Sequence, residues 1–180
     1  MKLSYLLFII SFSAAFLSCS NNQNDSYSEW RQKNEKFIDE RKNDPSFLQT
    51  TIPQGPGIVY YKVINEAVGD TCPLYTSQVK VHYKGHLIDD YVFDNEKGHF
   101  ILTDKYVFDD ASERTITMYV NSNISGFAVA LQNMKRGNKW EIYIPWELGY
   151  GSSGLSSSSI SILPYSALIF EIELVGISQY

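Results

Sequence analysis

The 180-residue chain has little of what assigns a function at sight. It carries no excess of positive charge, since 15 Lys and Arg stand against 20 Asp and Glu for a net −5. Proteins that bind DNA or RNA do so largely by neutralising phosphates with Lys and Arg, so no nucleic-acid partner is expected. Two cysteines, Cys19 and Cys72, cannot staple a disulfide scaffold. The three histidines are His82, His86 and His99. His82 and His86 lie four residues apart on an extended segment, too far along the chain to chelate one metal easily, so no metal site is expected. There is no GxSxG, HExxH, Walker loop or CxxC. The acidic pairs Asp89-Asp90 and Asp109-Asp110 read as loop residues rather than hydrolytic carboxylates. If the chain is an enzyme, it works with little acid–base machinery and without an organic cofactor.

Rings and short apolar segments are what the chain does have. Hydrophobic residues make up 44% and include 13 Tyr and 10 Phe, a composition that suits strands more than a helical bundle. Residues 1–18 carry Lys2, an apolar run from Leu6 to Leu17 and then small residues, the layout of a secretory signal and too short for a good membrane span. Phe16-Leu17-Ser18-Cys19 resembles the lipobox of bacterial lipoproteins, with Phe where Leu is usual. That resemblance implies cleavage before Cys19, lipidation of its thiol and a stable membrane anchor. An ordinary cleaved signal and an uncleaved anchor are the alternatives. Ser20 rather than Asp after the cysteine implies, by analogy with enterobacterial sorting, the outer membrane, facing either periplasm or cell surface. Cys72 would then be the remaining thiol, in a passive turn.

Residues 19–57 read as a tether followed by a charged helix. Ser26 and Glu29 are placed as a capping box, Trp30, Phe37 and Ile38 form a thin apolar stripe, and the helix stops before Asp44-Pro45. Docking of that stripe on the main domain is the plain expectation, and a dimerisation or partner helix the other. From Ile58 the period becomes two. Ile58–Ile64, Val79–Leu87, Thr115–Val120, Lys139–Ile144 and Leu168–Leu174 read as about five strands, with Lys80, His82, Lys84 and His86 on a wet face. One segment changes period: Phe127, Ala130, Leu131 and Met134 are spaced for a helix, with Ser125 as its N-cap and Gly137 as its stop. One short helix against one antiparallel sheet is an α+β fold.

Several motifs, in order and in register, resemble the FKBP-type peptidyl-prolyl cis-trans isomerases. They are Val79-Lys80-Val81-His82-Tyr83-Lys84-Gly85, Gly126-Phe127 through Met134 and Gly137, Trp140–Pro145, Glu147-Leu148-Gly149-Tyr150-Gly151, and Pro164–Leu174. The resemblance covers about residues 58–177 and implies an isomerase domain over 58–180. Its fold would be a curled antiparallel sheet wrapped around one short helix, with the helical extension before it. It implies catalysis of X-Pro rotation in exported proteins, proline-containing unfolded polypeptides as substrates, and macrolides as inhibitors. Use of the same groove as a non-catalytic peptide-binding chaperone, or as a module of a surface lipoprotein complex, is the alternative.

By the same resemblance, Phe127 is the pocket floor, where many relatives carry Trp. Tyr83, Ile162 and Phe170 line the walls, Tyr150 donates its hydroxyl to a substrate carbonyl, Ile124 offers its backbone N–H, and Leu163 adjoins the substrate. The family's Phe-Asp pair has two candidates. Phe93-Asp94 keeps the usual distance from Tyr83, whereas Phe108-Asp109 lies nearer the usual distance to Phe127. Phe108 and Asp109 are preferred, which makes about Asp89–Lys105 an inserted flap. The serine-rich stretch Ser152–Ser161 reads as an enlarged, mobile rim.

Overall fold

The computed structural model describes residues 27–67, 69–89, 115–156 and 161–178. In chain order these hold α1 (Ser28–Asn43), β1 (Leu48–Thr50), β2 (Val59–Asn65), β3 (Gln78–His86), β4 (Ile116–Tyr119), α2 (Ser125–Asn133), β5 (Lys139–Ile144), β6 (Leu155–Ser156), β7 (Ser161–Ile162) and β8 (Leu168–Ser178). Single 3-10 turns at Val120–Ser122 and Trp146–Leu148 follow β4 and β5.

Alternation along the strands decides which side chains meet. Six strands form one antiparallel sheet in the order β1-β2-β5-β8-β3-β4, and β6 pairs with β7 as a separate small hairpin. The expected strands are all present. The additional sheet strand is β1, whose three residues pair with Val59–Tyr61. On β8, Leu168, Phe170, Ile172 and Leu174 are buried on the inner face, while Glu171 and Glu173 point outward. Register brings Lys84 opposite Glu171 and His82 opposite Glu173, so the outer face pairs polar side chains between β3 and β8, Lys84 and Glu171 as opposite charges. Glu171 sits 3.1 Å from Lys84 Nζ and 3.0 Å from Lys139 Nζ, bridging three strands.

The helix α2 lies on the inner face and is buried from Gly126 through Leu131, so its apolar character runs round the helix rather than along one stripe. Gly126 permits this approach, because a Cβ there would collide with Ile144 of β5. The back of α2 is closed by the segment after β1, where Asn133 Nδ2 donates to the Thr51 carbonyl at 3.2 Å. The core joins Leu131, Met134, Ile142, Ile144, Leu168, Ile172 and Leu174, all under 2% exposed.

Both helix starts differ from expectation. The N-cap of α1 is Tyr27 and that of α2 is Ile124, neither with a side-chain cap hydrogen bond. Ser125 is therefore the first helical residue rather than the cap, and Glu29 lies in the first turn, where its charge suits the helix dipole. Ser26 lies outside the described residues. At the other ends, α1 stops at Asp44 as expected, whereas α2 is capped at Met134, three residues before the expected stop at Gly137, with the Met134 N–H shared between the Ala130 and Leu131 carbonyls.

The charged helix α1 docks on the domain. Phe37 and Ile38 cover a patch of Tyr60, Tyr143 and Ile169, which stand side by side across β2, β5 and β8 on the outer face. The stripe looked thin because two of its members are polar. Asn34 is fully buried, and Arg41 lays its guanidinium 3.2 Å above the Phe37 ring.

Candidate functional site

Phe127, the third residue of α2, enters the inner face toward the sheet and meets two rings from adjacent strands. Its centroid is 5.3 Å from Phe170 of β8, at 85°, and 5.6 Å from Tyr83 of β3, at 78°. Tyr83 and Phe170 are themselves 6.2 Å apart and tilted. Edge-to-face packing of this kind places the positive rim of one ring against the negative face of the next. Phe127 thus stands nearly perpendicular to both other rings while Tyr83 and Phe170 incline at 55° to each other, so the three do not form a flat stack.

Gly85 makes room for the trio. It stands opposite Phe170 in the β3–β8 register, and a Cβ at that position would run into the Phe170 ring. Phe127 and Phe170 are buried, at 3% and 8% exposure, whereas Tyr83 is half-buried, so the cluster opens on the Tyr83 side.

The remaining site residues expected from sequence divide into those the structure describes and those it does not. Ile124, at the N-cap of α2, and Tyr150, just past the turn that follows β5, are half-buried and pack on the same core cluster as Phe127 and Phe170. Burial pushes the Tyr150 hydroxyl above the usual tyrosine value, which keeps it a protonated donor at neutral pH. Ile162 is buried on β7, paired with Leu155 of β6. Leu163 is brought in least: its side chain is 43% exposed, and its carbonyl accepts the Ser166 hydroxyl at 2.7 Å. Phe93, Asp94, Phe108 and Asp109, most of the inserted flap and Cys19 lie outside the described residues. Among the described residues no group of three or more His, Cys, Asp or Glu side chains could hold a metal ion, and no helix is long and apolar enough to cross a membrane.

The sequence reading assigned no role to several neighbours of this site. Leu155 packs on the site's core cluster. Trp146 and Tyr165 meet edge-on at 5.0 Å, with the Arg31 guanidinium of α1 over both rings. Ser166 and Ala167, ahead of β8, are bonded to α1 through Trp30 and Asn34. Asn34 follows Trp30 by four residues and precedes Phe37 by three, so its helical phase was the available signal.

The chemistry open to such a site is binding by shape and apolar contact, with few oriented donors. A family profile described as FKBP-type peptidyl-prolyl cis-trans isomerase matches residues 69–175. The "FKBP-type 22 kDa peptidyl-prolyl cis-trans isomerase" of Escherichia coli K12 is 39% identical over 65% of this chain and 48% of its own length. The "Outer membrane protein MIP" of Legionella longbeachae is 30% identical over 87% of this chain and 58% of its own. A crystal structure of a peptidyl-prolyl cis-trans isomerase from Pseudomonas syringae pv. tomato superimposes with a TM-score of 0.65 at 27% identity, covering 85% of this chain and 96% of that one. This chain thus spans about half the length of those two curated relatives.

Proposed function

Because the chain belongs to the FKBP-type peptidyl-prolyl cis-trans isomerase family, we propose that it catalyses rotation about X-Pro bonds. The observation that carries this reading is the edge-packed trio of Tyr83, Phe127 and Phe170, with Gly85 making room for the Phe170 ring.

Rotation about a peptide bond is opposed by a resonance barrier of about 18–20 kcal/mol, and no proton has to move to cross it. A site accelerates the step by binding the twisted amide more tightly than either planar form, each ~1.4 kcal/mol of selective binding giving about tenfold in rate. Phe127 would take the underside of the pyrrolidine, Tyr83, Ile162 and Phe170 its flanks, and Leu163 the adjoining chain. The Ile124 N–H and the Tyr150 hydroxyl would hold substrate carbonyls on either side. Burial adds to the last contact, since a hydrogen bond in a low-dielectric site is stronger than in water. Phe108 and Asp109 complete the pocket in this reading. Asp109→Ala should then abolish turnover while Asp94→Ala spares it, and the opposite result assigns the pair to Phe93-Asp94.

The test is turnover of a short prolyl peptide by the full chain, with and without a macrolide that blocks this family. Catalysis suppressed by the macrolide is expected. Peptide binding without turnover would instead make the groove a docking surface of a chaperone.

Substrates and place follow from the amino terminus. Residues 1–18 are read as signal, Cys19 as its lipidated successor, 19–57 as tether and helix, and 58–180 as the isomerase domain. The envelope, and the outer membrane within it, is the proposed location, supported by the lipobox resemblance and by the name of the Legionella longbeachae relative. Exported, proline-containing chains are then the substrate class. An unacylated Cys19 in the mass spectrum of the mature protein would remove the anchor.

A further inference from the structure

The turn Leu163–Ala167 joins two walls of the site, since it starts beside Ile162 and ends three residues before Phe170. It is also strained. Tyr165 has φ 61°, in the left-handed region that a bulky residue adopts only when its surroundings impose it. Those surroundings come from two places. The Tyr165 N–H donates to the Gly151 carbonyl at 3.0 Å, tying the turn to the neighbour of Tyr150. Trp146 packs edge-on against the Tyr165 ring, and α1 adds further contacts. Trp30 Nε1 donates to Ser166 Oγ at 3.0 Å, and that hydroxyl donates to the Leu163 carbonyl at 2.7 Å. Asn34 Oδ1 accepts the Ala167 N–H at 2.8 Å, while its own Nδ2 donates to the Trp30 carbonyl at 2.7 Å. Arg31 lies over the Tyr165 ring, 4.8 Å from its centroid.

Asn34 is fully buried, and Ser166 is 3% exposed. A buried amide and hydroxyl satisfied across a helix–turn junction hold one geometry closely, because each alternative leaves a buried polar group unpaired. These contacts lie on a helix that precedes residues 69–175, the part matched to the family.

We propose that Trp30 and Asn34 are positioning residues: through Ser166 and Ala167 they hold the turn that links Ile162 to Phe170, so that α1 is part of the site's substrate-binding wall. The proposal rests on the isomerase reading above. It assigns α1 an effect on substrate binding beyond its effect on stability.

The experiment compares full-chain Trp30→Phe, which keeps a ring and removes the donor, and Asn34→Ala with Phe37→Leu. The last loosens the helix on the outer face without touching the turn. All are assayed well below their melting temperatures on prolyl peptides differing in the residue before proline. Expected for Trp30→Phe and Asn34→Ala is a KM raised about tenfold with kcat changed less than about twofold, and an altered ranking of the peptides. Phe37→Leu should leave KM, kcat and ranking as they were. Equal kinetics in all four proteins, or the same KM rise in Phe37→Leu, overturns the proposal.

Hydrogen exchange at the Ala167 amide separates this outcome from failure of the isomerase reading. Faster exchange in Trp30→Phe and Asn34→Ala supports the brace whether or not peptide is turned over, and unchanged protection overturns it. Lack of turnover by the unsubstituted chain overturns the isomerase reading and the kinetic role assigned to α1 with it.

Discussion

The inner and outer faces of one sheet both carry aromatic clusters, yet only the inner one stays open. Inside, Tyr83, Phe127 and Phe170 meet edge-on or tilted at 5.3–6.2 Å, with Tyr83 half-buried. Outside, Tyr60, Tyr143 and Ile169 are sealed by Phe37, Ile38 and Phe47, and the Arg41 guanidinium caps the Phe37 ring. Of the residues packed on the outer cluster, Phe37, Ile38 and Phe47 come from the segment ahead of position 58 and Ile88 from the turn after β3, while Tyr83, Phe127 and Phe170 all fall within 69–175, the span matched to the family. Rings alone therefore do not make a site. Each face carries a helix, α2 inside and α1 outside, and the difference is that the inner trio keeps Tyr83 half-buried whereas the outer rings Tyr60 and Tyr143 are buried beneath α1.

The largest test of that contrast is Phe170→Ala. Truncating a buried Phe costs about 3–5 kcal/mol, so a sharp fall in melting temperature is expected, and prolyl turnover should disappear as well. Phe37→Ala on the outer face should cost less, about 2 kcal/mol, since the side chain is half-buried and its loss exposes a patch rather than leaving a deep cavity. Its turnover at a temperature where it is fully folded should match the unsubstituted chain. Equal turnover in both variants would break the distinction between the faces. Gly85→Ala sharpens it without deleting any ring. The new Cβ must displace Phe170, costing about 1–3 kcal/mol, and turnover should fall although all three aromatic side chains remain.

Alkaline pH probes both faces at once. Burial raises the hydroxyl pKa of Tyr150 on the inner side, and burial together with a hydrogen bond to Glu141 raises that of Tyr143 on the outer side. A tyrosine whose folded value lies above its unfolded value of 10.0 favours the folded state fully below pH 10, and that advantage drains as pH rises toward the folded value. Melting temperature should thus hold steady up to about pH 9 and fall above about pH 10. Tyr143→Phe should flatten part of the fall, because the outer hydroxyl is the more strongly shifted. An unchanged fall would move the alkaline sensitivity to Tyr150, Tyr60 or Tyr61, whose values burial also raises.

The legible parts of the molecule were those where one face is wet. The alternation of Val79, Val81 and Tyr83 against Lys80, His82 and Lys84 located β3, and Leu168 to Leu174 located β8, because charged residues mark the solvent side. The α2 segment was legible from Phe127, Ala130, Leu131 and Met134. Three residues of β1 were too few for any period to show. The helix starts misled because Tyr27 and Ile124 occupy cap positions usually held by hydroxyl or carboxamide side chains, and Ser125 one residue later drew the assignment. Of the site, the ring trio was readable through motif order alone, since nothing in the spacing of Tyr83, Phe127 and Phe170 brings them together without the fold. Asn34 and Arg41 were hidden for the opposite reason. Polar residues on a charged helix read as solvated, and only their partners, Ala167 and Phe37, reveal them as buried or stacked.

The smallest effect belongs to the part of the outer face stitched by charge rather than by rings. There Glu171 of β8 lies between Lys84 of β3 and Lys139 of β5, with the like charge of Glu141 directly across from it in the β5–β8 register. Ion pairs with an exposed partner such as Lys84 contribute about 1 kcal/mol or less. Glu171→Gln should accordingly lower the urea midpoint only slightly in low salt, since it loses two attractions and relieves one repulsion. The difference should shrink further at about 1 M salt, where screening shortens the reach of each charge to about 3 Å. A deficit that persists undiminished in high salt would mean that Glu171 acts through packing, and that the outer face is held by contact along its whole length, as it already is beneath α1.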